Sequence, residues 1–374
     1  MLRVLGLVSF RIFPTHMGGQ KGVADFYRHL GEATAVTLAA SHDNKDSGKL
    51  ELHRILYPNK KIYLNIFKIG VLKKLVREKA VDILVAEHSY TGWLAWLLHR
   101  ATGKPFIIHS HNIESKRFRH MKQWWWRLYQ WYEGWIHRKA QHSFFISAED
   151  RDHAVRHFHI PPGNCSVITY GVEERIINQD RLSLRRELGL DENKKIFLFN
   201  GTLDYQPNYD AVVLLVDTIE PLLRRRLNNY RIVITGNRAP RSLIELMQKN
   251  DAILYMGYVP DVDIFYQAAD LFINPVSNDT GVKTKLIEAI ANGCPAISTA
   301  SGASGIRTDL CGDQLTIVPD NDWNSFVEKI ITYKASSVRQ TPQSFYDTYS
   351  WRAITTAAAQ AMEEIKERSN SSHA

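Results

Sequence analysis

Short apolar runs alternate with amphipathic stretches along the whole chain. Residues 3–10, 35–38, 83–86, 106–108, 144–146 and 167–168 have the length and the β-branched or aromatic content of buried strands. Between them, residues 23–30, 71–79 and 93–99 space their apolar side chains as helices do. A second series follows, with strands predicted at 196–199, 231–235, 253–256 and 271–274. Helices are predicted at 183–188, 261–269, 323–333 and 351–367. Strands alternating with helices make a parallel α/β sheet, whose ligands bind at the carboxyl ends of the strands.

One stretch organises the second series: 280–299, TGVKTKLIEAIANGCPAIST. It opens with a turn at Gly281 and carries Lys283, Lys285 and Glu288 into a helix whose packed face is Val282, Leu286, Ala289 and Ile290. Asn292-Gly293 suits a left-handed helix cap, Pro295 stops continuation, and 296–299 reads as a buried strand. A helix N-terminus carries partial positive charge and free N–H groups, and two lysines reinforce it; that is a place for a phosphate. A solvated face with good helix formers fits the same spacing.

Composition narrows the picture. The 374 residues suffice for two domains, and 44% apolar with 23% charged residues is ordinary for a soluble protein. No run approaches the length of a membrane span, and the first residues read as a strand rather than a signal peptide. The cysteines Cys165, Cys294 and Cys311 have neither metal spacing nor an even number, which points to a reducing, cytoplasmic setting. A net charge of +8 implies anionic partners. No aromatic-basic motif of a nucleic-acid module is present, so nucleic acid is not expected among them.

Three further features carry chemistry. Gly18 and Gly19 lie between the first strand and the helix predicted from 23, where a backbone can approach a diphosphate; a plain turn is the alternative. His109 and His111 follow the strand at 106–108. The stretch 116–142, KRFRHMKQWWWRLYQWYEGWIHRKAQH, has Trp124, Leu128, Trp131 and Trp135 at helical spacing, and Trp125, Tyr129, Tyr132 and Ile136 likewise. Read as one helix, it is apolar far around its circumference and edged with basic residues, which suits an anionic membrane surface or a buried helix equally.

Glu288-Ala289-Ile290-Ala291-Asn292-Gly293-Cys294-Pro295 resembles the nucleotide-sugar helix of retaining glycosyltransferases of the GT-B fold, family four, also called group 1. The first half of that motif departs: Thr280 stands in the slot of its first Glu and Lys283 in that of its second Gly. The turn after the strand at 196–199, containing Gly201, Pro207 and Asn208, lacks the Arg and Lys with which common members hold the diphosphate. A subgroup with Gly and Pro-Asn there carries lysines on the later helix instead, which assigns that charge to Lys283 and Lys285.

The resemblance covers nearly the whole chain and implies two Rossmann-like domains facing a cleft. It implies an acceptor-binding domain over 1–172, a nucleotide-sugar domain over 173–348, and a final helix with frayed tail over 349–374 that crosses back to the first. It gives His111 the transferred sugar, with His109 as fallback, and Gly18 and Gly19 the donor phosphates. Gly201, Gly236, Thr280 and Gly281 fall in ligand loops, Tyr258 and Val259 pass the nucleobase, and Glu288 holds the ribose. No metal and no cofactor are implied beyond a nucleotide-diphosphate sugar, a UDP-sugar first. The expected reaction is retaining transfer of a hexose to a glycan or lipid-linked glycan in polysaccharide biosynthesis, at the inner face of the plasma membrane. A base at Glu114 would instead give inversion. A nucleotide-sugar 2-epimerase of the same fold and a non-catalytic scaffold subunit are the alternatives.

Overall fold

In the computed structural model, residues 1–15, 18–45, 48–175, 180–277, 283–334 and 340–371 are described. The chain forms two compact units, Met1–Gly171 with Trp351–Ala374, and Val172–Ser350.

The first unit is a seven-stranded sheet in the order β3-β2-β1-β4-β5-β6-β7. Its strands are β1 (Arg3–Val8), β2 (Ala35–Ser41), β3 (Glu51–Leu56), β4 (Ile83–Glu87), β5 (Phe106–Ser110), β6 (His142–Phe145) and β7 (Cys165–Val167), all parallel. Its helices are α1 (Gly18–Ala33), α2 (Ile69–Glu78), α3 (Ser89–Thr102), α4 (Glu114–His120), α5 (Trp126–Lys139) and α6 (Ala148–Phe158), with a 3-10 segment, Asn59–Lys68, ahead of α2. Strands β4, β5 and β6 are buried throughout, as a parallel sheet covered on both faces requires. Leu5, Leu7, Leu84, Ala86, Phe106 and Ile108 pack under α2, α3 and α5. The side chain of Ser147 caps α6 by accepting from the Asp150 N–H.

The second unit has a six-stranded parallel sheet in the order β10-β9-β8-β11-β12-β13. These are β8 (Lys195–Asn200), β9 (Tyr230–Thr235), β10 (Ile253–Gly257), β11 (Leu271–Asn274), β12 (Ala296–Thr299) and β13 (Leu315–Val318). Its helices are α7 (Arg181–Glu187), α8 (Gln206–Leu214), α9 (Glu220–Arg224), α10 (Arg241–Gln248), α11 (Asp263–Ala268), α12 (Thr284–Ala291), α13 (Trp323–Thr332) and α14 (Gln343–Tyr349). A π-helical turn, Leu215–Ile219, joins α8 to α9. In each sheet the strand order reverses at a switch point, between β1 and β4 and between β8 and β11.

The last helix, α15 (Trp351–Ser371), belongs to the first unit. Its Trp351 lies so close to Gly171 that a Cβ there would sit 2.4 Å from the indole. Its Lys366 reaches Asp82 at 3.2 Å, and the same carboxylate accepts from the Arg3 guanidinium.

Three expectations are corrected. Helix α1 begins at Gly18, not at 23, so Gly18 and Gly19 form its first turn rather than a preceding loop; glycine's poor helix propensity obscured the start, yet a first turn tolerates it. The stretch 116–142 is two helices, α4 and α5, broken where Lys122 takes a left-handed conformation at φ 53°. Lys283 is the N-cap of α12 and not a first-turn residue. The expected turn residues Thr280 and Gly281, with Val282, lie outside the described residues.

Candidate active site

In the second unit, candidate residues gather at the carboxyl ends of β8 and β9, beside the start of α12. The Lys285 ammonium donates to the side-chain oxygen of Asn208 and lies 5.3 Å over the centre of the Phe199 ring. Asn208 is itself held by its amide donating to Thr202 O at 2.9 Å, and the Tyr266 hydroxyl donates to Lys285 O at 3.2 Å. Lys285 overhangs Gly201: a Cβ there would lie 2.8 Å from Nζ. Gly236, at φ 152°, brings the next loop against the same turn, where a Cβ would meet Gly201 O at 1.9 Å. Only two glycines allow these backbones to touch.

A cation in the first turn of a helix opposes the helix dipole, and this first turn contains no acid to relieve it. Helix stability therefore does not account for Lys285. Its ammonium is able to make charge-assisted bonds to an anion. Lys283 is buried, Glu288 is half-buried with its charge acting on Tyr266, and Tyr258 is exposed just past β10, followed by half-buried Val259.

In the first unit the candidate groups sit at the carboxyl ends of β4 and β5, beside that sheet's switch point. Glu87, the last residue of β4, is completely buried. One of its oxygens is 2.6 Å from His111 Nε2 and the other 3.2 Å from His109 Nδ1. Burial alone would raise the Glu87 pKa; the two imidazoles outweigh it and hold the carboxyl well below its usual range. Burial pushes His111 the other way, downward, with His109 adding to the effect.

His88 follows at φ 64°, ψ 154°, a conformation that costs a non-glycine residue roughly 1–3 kcal/mol. Its ring lies between Tyr90 and His111, with centroids 4.8 and 4.6 Å away, and its Nδ1 is 3.4 Å from Glu114. The other Glu114 oxygen takes the Arg117 guanidinium at 2.6 Å. With both oxygens engaged and the side chain buried, Glu114 is a poor candidate for the base that inversion needs. Glu133 of α5 accepts from the Glu114 and Ser115 N–H groups at 2.9 and 3.0 Å, capping α4 from another helix. Burial raises its pKa to about 7.

His111 is thus held by Glu87 just past the end of β5, while Glu87 and His88 went unassigned; a carboxylate and a histidine ending a strand at the switch point were the available signal. Glu87, His109 and His111 each bring one metal-capable atom within 4.8 Å of the others. Gly18 and Gly19 lie in the first turn of α1, and a Cβ on Gly19 would meet nothing within 4 Å, so packing does not demand glycine there.

Residues 17–175 match the family model for Glycosyltransferase Family 4, and residues 194–335 match that for Glycosyl transferases group 1. Together they account for most of the chain. The chain belongs to the group 1, family-four glycosyltransferases of the GT-B fold. A UDP-Gal:alpha-D-GlcNAc-diphosphoundecaprenol alpha-1,3-galactosyltransferase of Escherichia coli is 23% identical over 275 residues, 70% of this chain and 68% of that one. A D-inositol 3-phosphate glycosyltransferase of Geodermatophilus obscurus is 30% identical over 176 residues, 43% of this chain and 38% of that one. The fold is that of sucrose-phosphate synthase from Thermosynechococcus elongatus, at TM-score 0.76 and 17% identity, over 97% of this chain and 99% of that one. It is also that of Anabaena HepE, solved with UDP, at TM-score 0.74 and 12% identity, over 97% and 100%. This glycosyltransferase moves a sugar in the building of a glycoconjugate.

Proposed function

We propose that this glycosyltransferase takes a hexose from a nucleotide-diphosphate sugar, a UDP-sugar first, and transfers it with retention to a glycan or lipid-linked glycan. The observation that carries the reading is Lys285, aimed over the Gly201 turn in a place where the helix itself disfavours a cation. Lys283 and Lys285 would balance the charge that grows on the departing diphosphate, where electrostatic catalysis contributes most. Gly201 and Gly236 would let backbone approach the phosphates, and Gly18 and Gly19 would offer first-turn N–H groups. Glu288 would take the ribose, Tyr258 and Val259 the base, and His111 the sugar. Thr280 and Gly281, outside the described residues, would serve the donor loop as the resemblance implies. As the acceptor oxygen bonds to the anomeric carbon and the bond to phosphate breaks, the leaving phosphate oxygen takes the acceptor's proton. No cofactor and no metal are part of the reading, so treatment with EDTA should leave turnover intact.

Replacing both Lys283 and Lys285 by Ala should lower turnover on the order of 100-fold or more with the fold intact. Unaltered turnover would end the assignment. A thermal-shift screen against UDP, GDP, ADP, dTDP and CMP identifies the donor class, since a ligand of the native state raises the midpoint. No shift with any would favour a scaffold subunit, and nucleotide release without an acceptor would favour a 2-epimerase.

The partner surface is the second part of the reading. Met121, Trp124, Leu128 and Trp131 are exposed, Trp124 at 89%. Tyr63, Ile66, Phe67 and Val71 are exposed on the 3-10 segment and α2. Helix α3 packs between α2 and α5, so both groups belong to one helical layer. Lys61, Lys74, Arg119, Lys122 and Arg127 are exposed on these segments, while Glu114 and Glu133 are buried and Glu78, exposed at the end of α2, pairs with Lys74 at 3.6 Å. Apolar side chains among cations suit an anionic bilayer at the cytoplasmic face. Among the described residues no helix is long and apolar enough to cross a membrane. Flotation with phosphatidylglycerol vesicles at low salt is the test; protein left at the bottom would remove this part.

A further inference from the structure

The Glu87 cluster goes further than the presence of a histidine. A carboxylate accepts hydrogen bonds and, ionised, donates none. Both Glu87 oxygens face an imidazole nitrogen, so His111 Nε2 and His109 Nδ1 must each carry a hydrogen. The second nitrogen of His109, Nε2, is buried without a partner, and its ring lies 4.7 Å from that of Phe26 and 6.2 Å from that of Phe144. A second N–H there would be stranded among aromatic carbons, so the hydrogen of the His109 ring belongs on Nδ1, facing Glu87. The second nitrogen of His111, Nδ1, makes no hydrogen bond among the described residues and is not sealed off, the side chain being 17% exposed. Backbone strain at His88 holds another ring 4.6 Å from that of His111, limiting its rotation.

We propose that Glu87 is a positioning residue that fixes His111 as its Nε2–H tautomer, so that Nδ1 meets the sugar as a hydrogen-bond acceptor and selects a hydroxyl that donates to it. This rests on the reading in which His111 contacts the transferred sugar, but the tautomer is measurable without turnover. Which nitrogen carries the proton follows from the bond the other makes, and here that bond is to a buried carboxylate. The donor sugar must therefore present a free hydroxyl at that position; a deoxy carbon or an ether oxygen leaves Nδ1 unanswered.

Glu87→Gln gives a specific expectation. An amide offers one acceptor and one donor side where the carboxylate offered two acceptors. One imidazole must then give up its hydrogen on that side. His109 would have to bury a hydrogen at Nε2, whereas His111 would carry it at the accessible Nδ1. His111 is the ring that switches, and its exposed nitrogen turns from acceptor to donor. The buried Tyr27 hydroxyl also acts on Glu87, and it can donate to either group, so it does not alter the outcome.

The experiment is long-range 1H–15N NMR of the histidine rings in the full chain, paired with kinetics on UDP-glucose and its monodeoxy analogues. In the wild type, His111 should show the Nε2–H pattern at neutral pH, and in E87Q the Nδ1–H pattern, with the other histidines unmoved. A single deoxy position should lower kcat/KM at least tenfold in the wild type and lose most of that penalty in E87Q and in H111A. An Nδ1–H pattern in the wild type overturns the proposal, as does a stoichiometric metal ion in the purified protein that disappears in E87Q. A correct tautomer with no deoxy position coupled to His111 overturns the acceptor role. Full turnover in H111A with UDP-glucose instead overturns the reading that His111 touches the sugar, leaving the tautomer result standing.

Discussion

The two units repeat one sheet order yet are furnished with different chemistry. Renumbered from its own first strand, the second sheet follows the order of the first, which adds a seventh strand at its edge. At the switch point of the first unit stand Glu87, His88, His109 and His111; burial lowers the pKa of His88 and His111, while the neighbouring imidazoles hold Glu87 below its usual range. The second unit, Val172–Ser350, contains no histidine at all, and all tryptophans but Trp323 fall outside it. Its counterpart site is two touching glycine loops under a lysine. One topology thus offers a place for ligands, while the side chains at the strand ends decide the chemistry. A buried imidazole cluster can orient and choose among hydroxyls; glycine backbone with a fixed cation suits phosphate at any ordinary pH.

The strongest way to break this contrast is Gly236→Ala. At φ 152° with Gly201 O in the way, the added methyl should destabilise the second unit by about 3–5 kcal/mol. Urea unfolding by circular dichroism should show a lost portion of structure, while fluorescence from the first unit's tryptophans keeps its midpoint. A small effect on both probes would mean that the loops need not touch.

Acid should separate the units next. His137 is buried against Phe145 and Phe158, and burial pushes its pKa down to about 3. The unfolded chain therefore takes up a proton first, and stability is lost as pH falls from about 6.5 toward 3. At pH 5 His137 alone should cost about 2 kcal/mol relative to pH 8. His142, pushed to about 4 by burial, acts in the same direction. Hydrogen exchange at pH 5 should find opening confined to the first unit; equal loss in both would contradict the histidine account.

A smaller effect is expected at Asp82. Burial would raise its pKa, but Arg3 and Lys366 bring it to about 2, so its contribution is present above pH 4 and fades below. The partners lie near the surface, and Asp82→Asn should cost about 1 kcal/mol after screening. A drop of a few degrees in Tm at pH 7 and none at pH 2 checks the sign. The smallest change in stability is expected for Trp124→Ser with Trp131→Ser, within about 0.5 kcal/mol, because both side chains already face solvent. The same variant should lose vesicle binding.

Much of the fold was legible because parallel strands buried on both faces leave plain apolar runs. Residues 271–274 and 296–299 are the observed strands β11 and β12. Strand β3, Glu51–Leu56, was missed because it is a half-exposed edge strand rich in charge. The break between α4 and α5 was invisible because aromatic spacing runs straight across it. For the site, local motif and helix position pointed to Lys285 and His111, but what each touches is non-local. Asn208 is 77 positions from Lys285, and Glu87 is 24 from His111. Spacing along a chain does not report such pairings, and neither does it report that a strand-end carboxylate is sealed from water.

The contact of Gly171 with Trp351 makes the second unit an insertion in the first, since the chain leaves at one of these residues and returns at the other. During synthesis the inserted unit is therefore complete first. The surrounding unit must wait for α15, so its sheet, with the aromatic layer already translated, stays without one covering helix until the whole inserted unit has been made. Domains generally fold as units in order of emergence, and here that order runs from the inside of the sequence outward. Joining Gly171 to Trp351 through a short linker would yield the outer unit as an uninterrupted chain, a form in which the wait disappears.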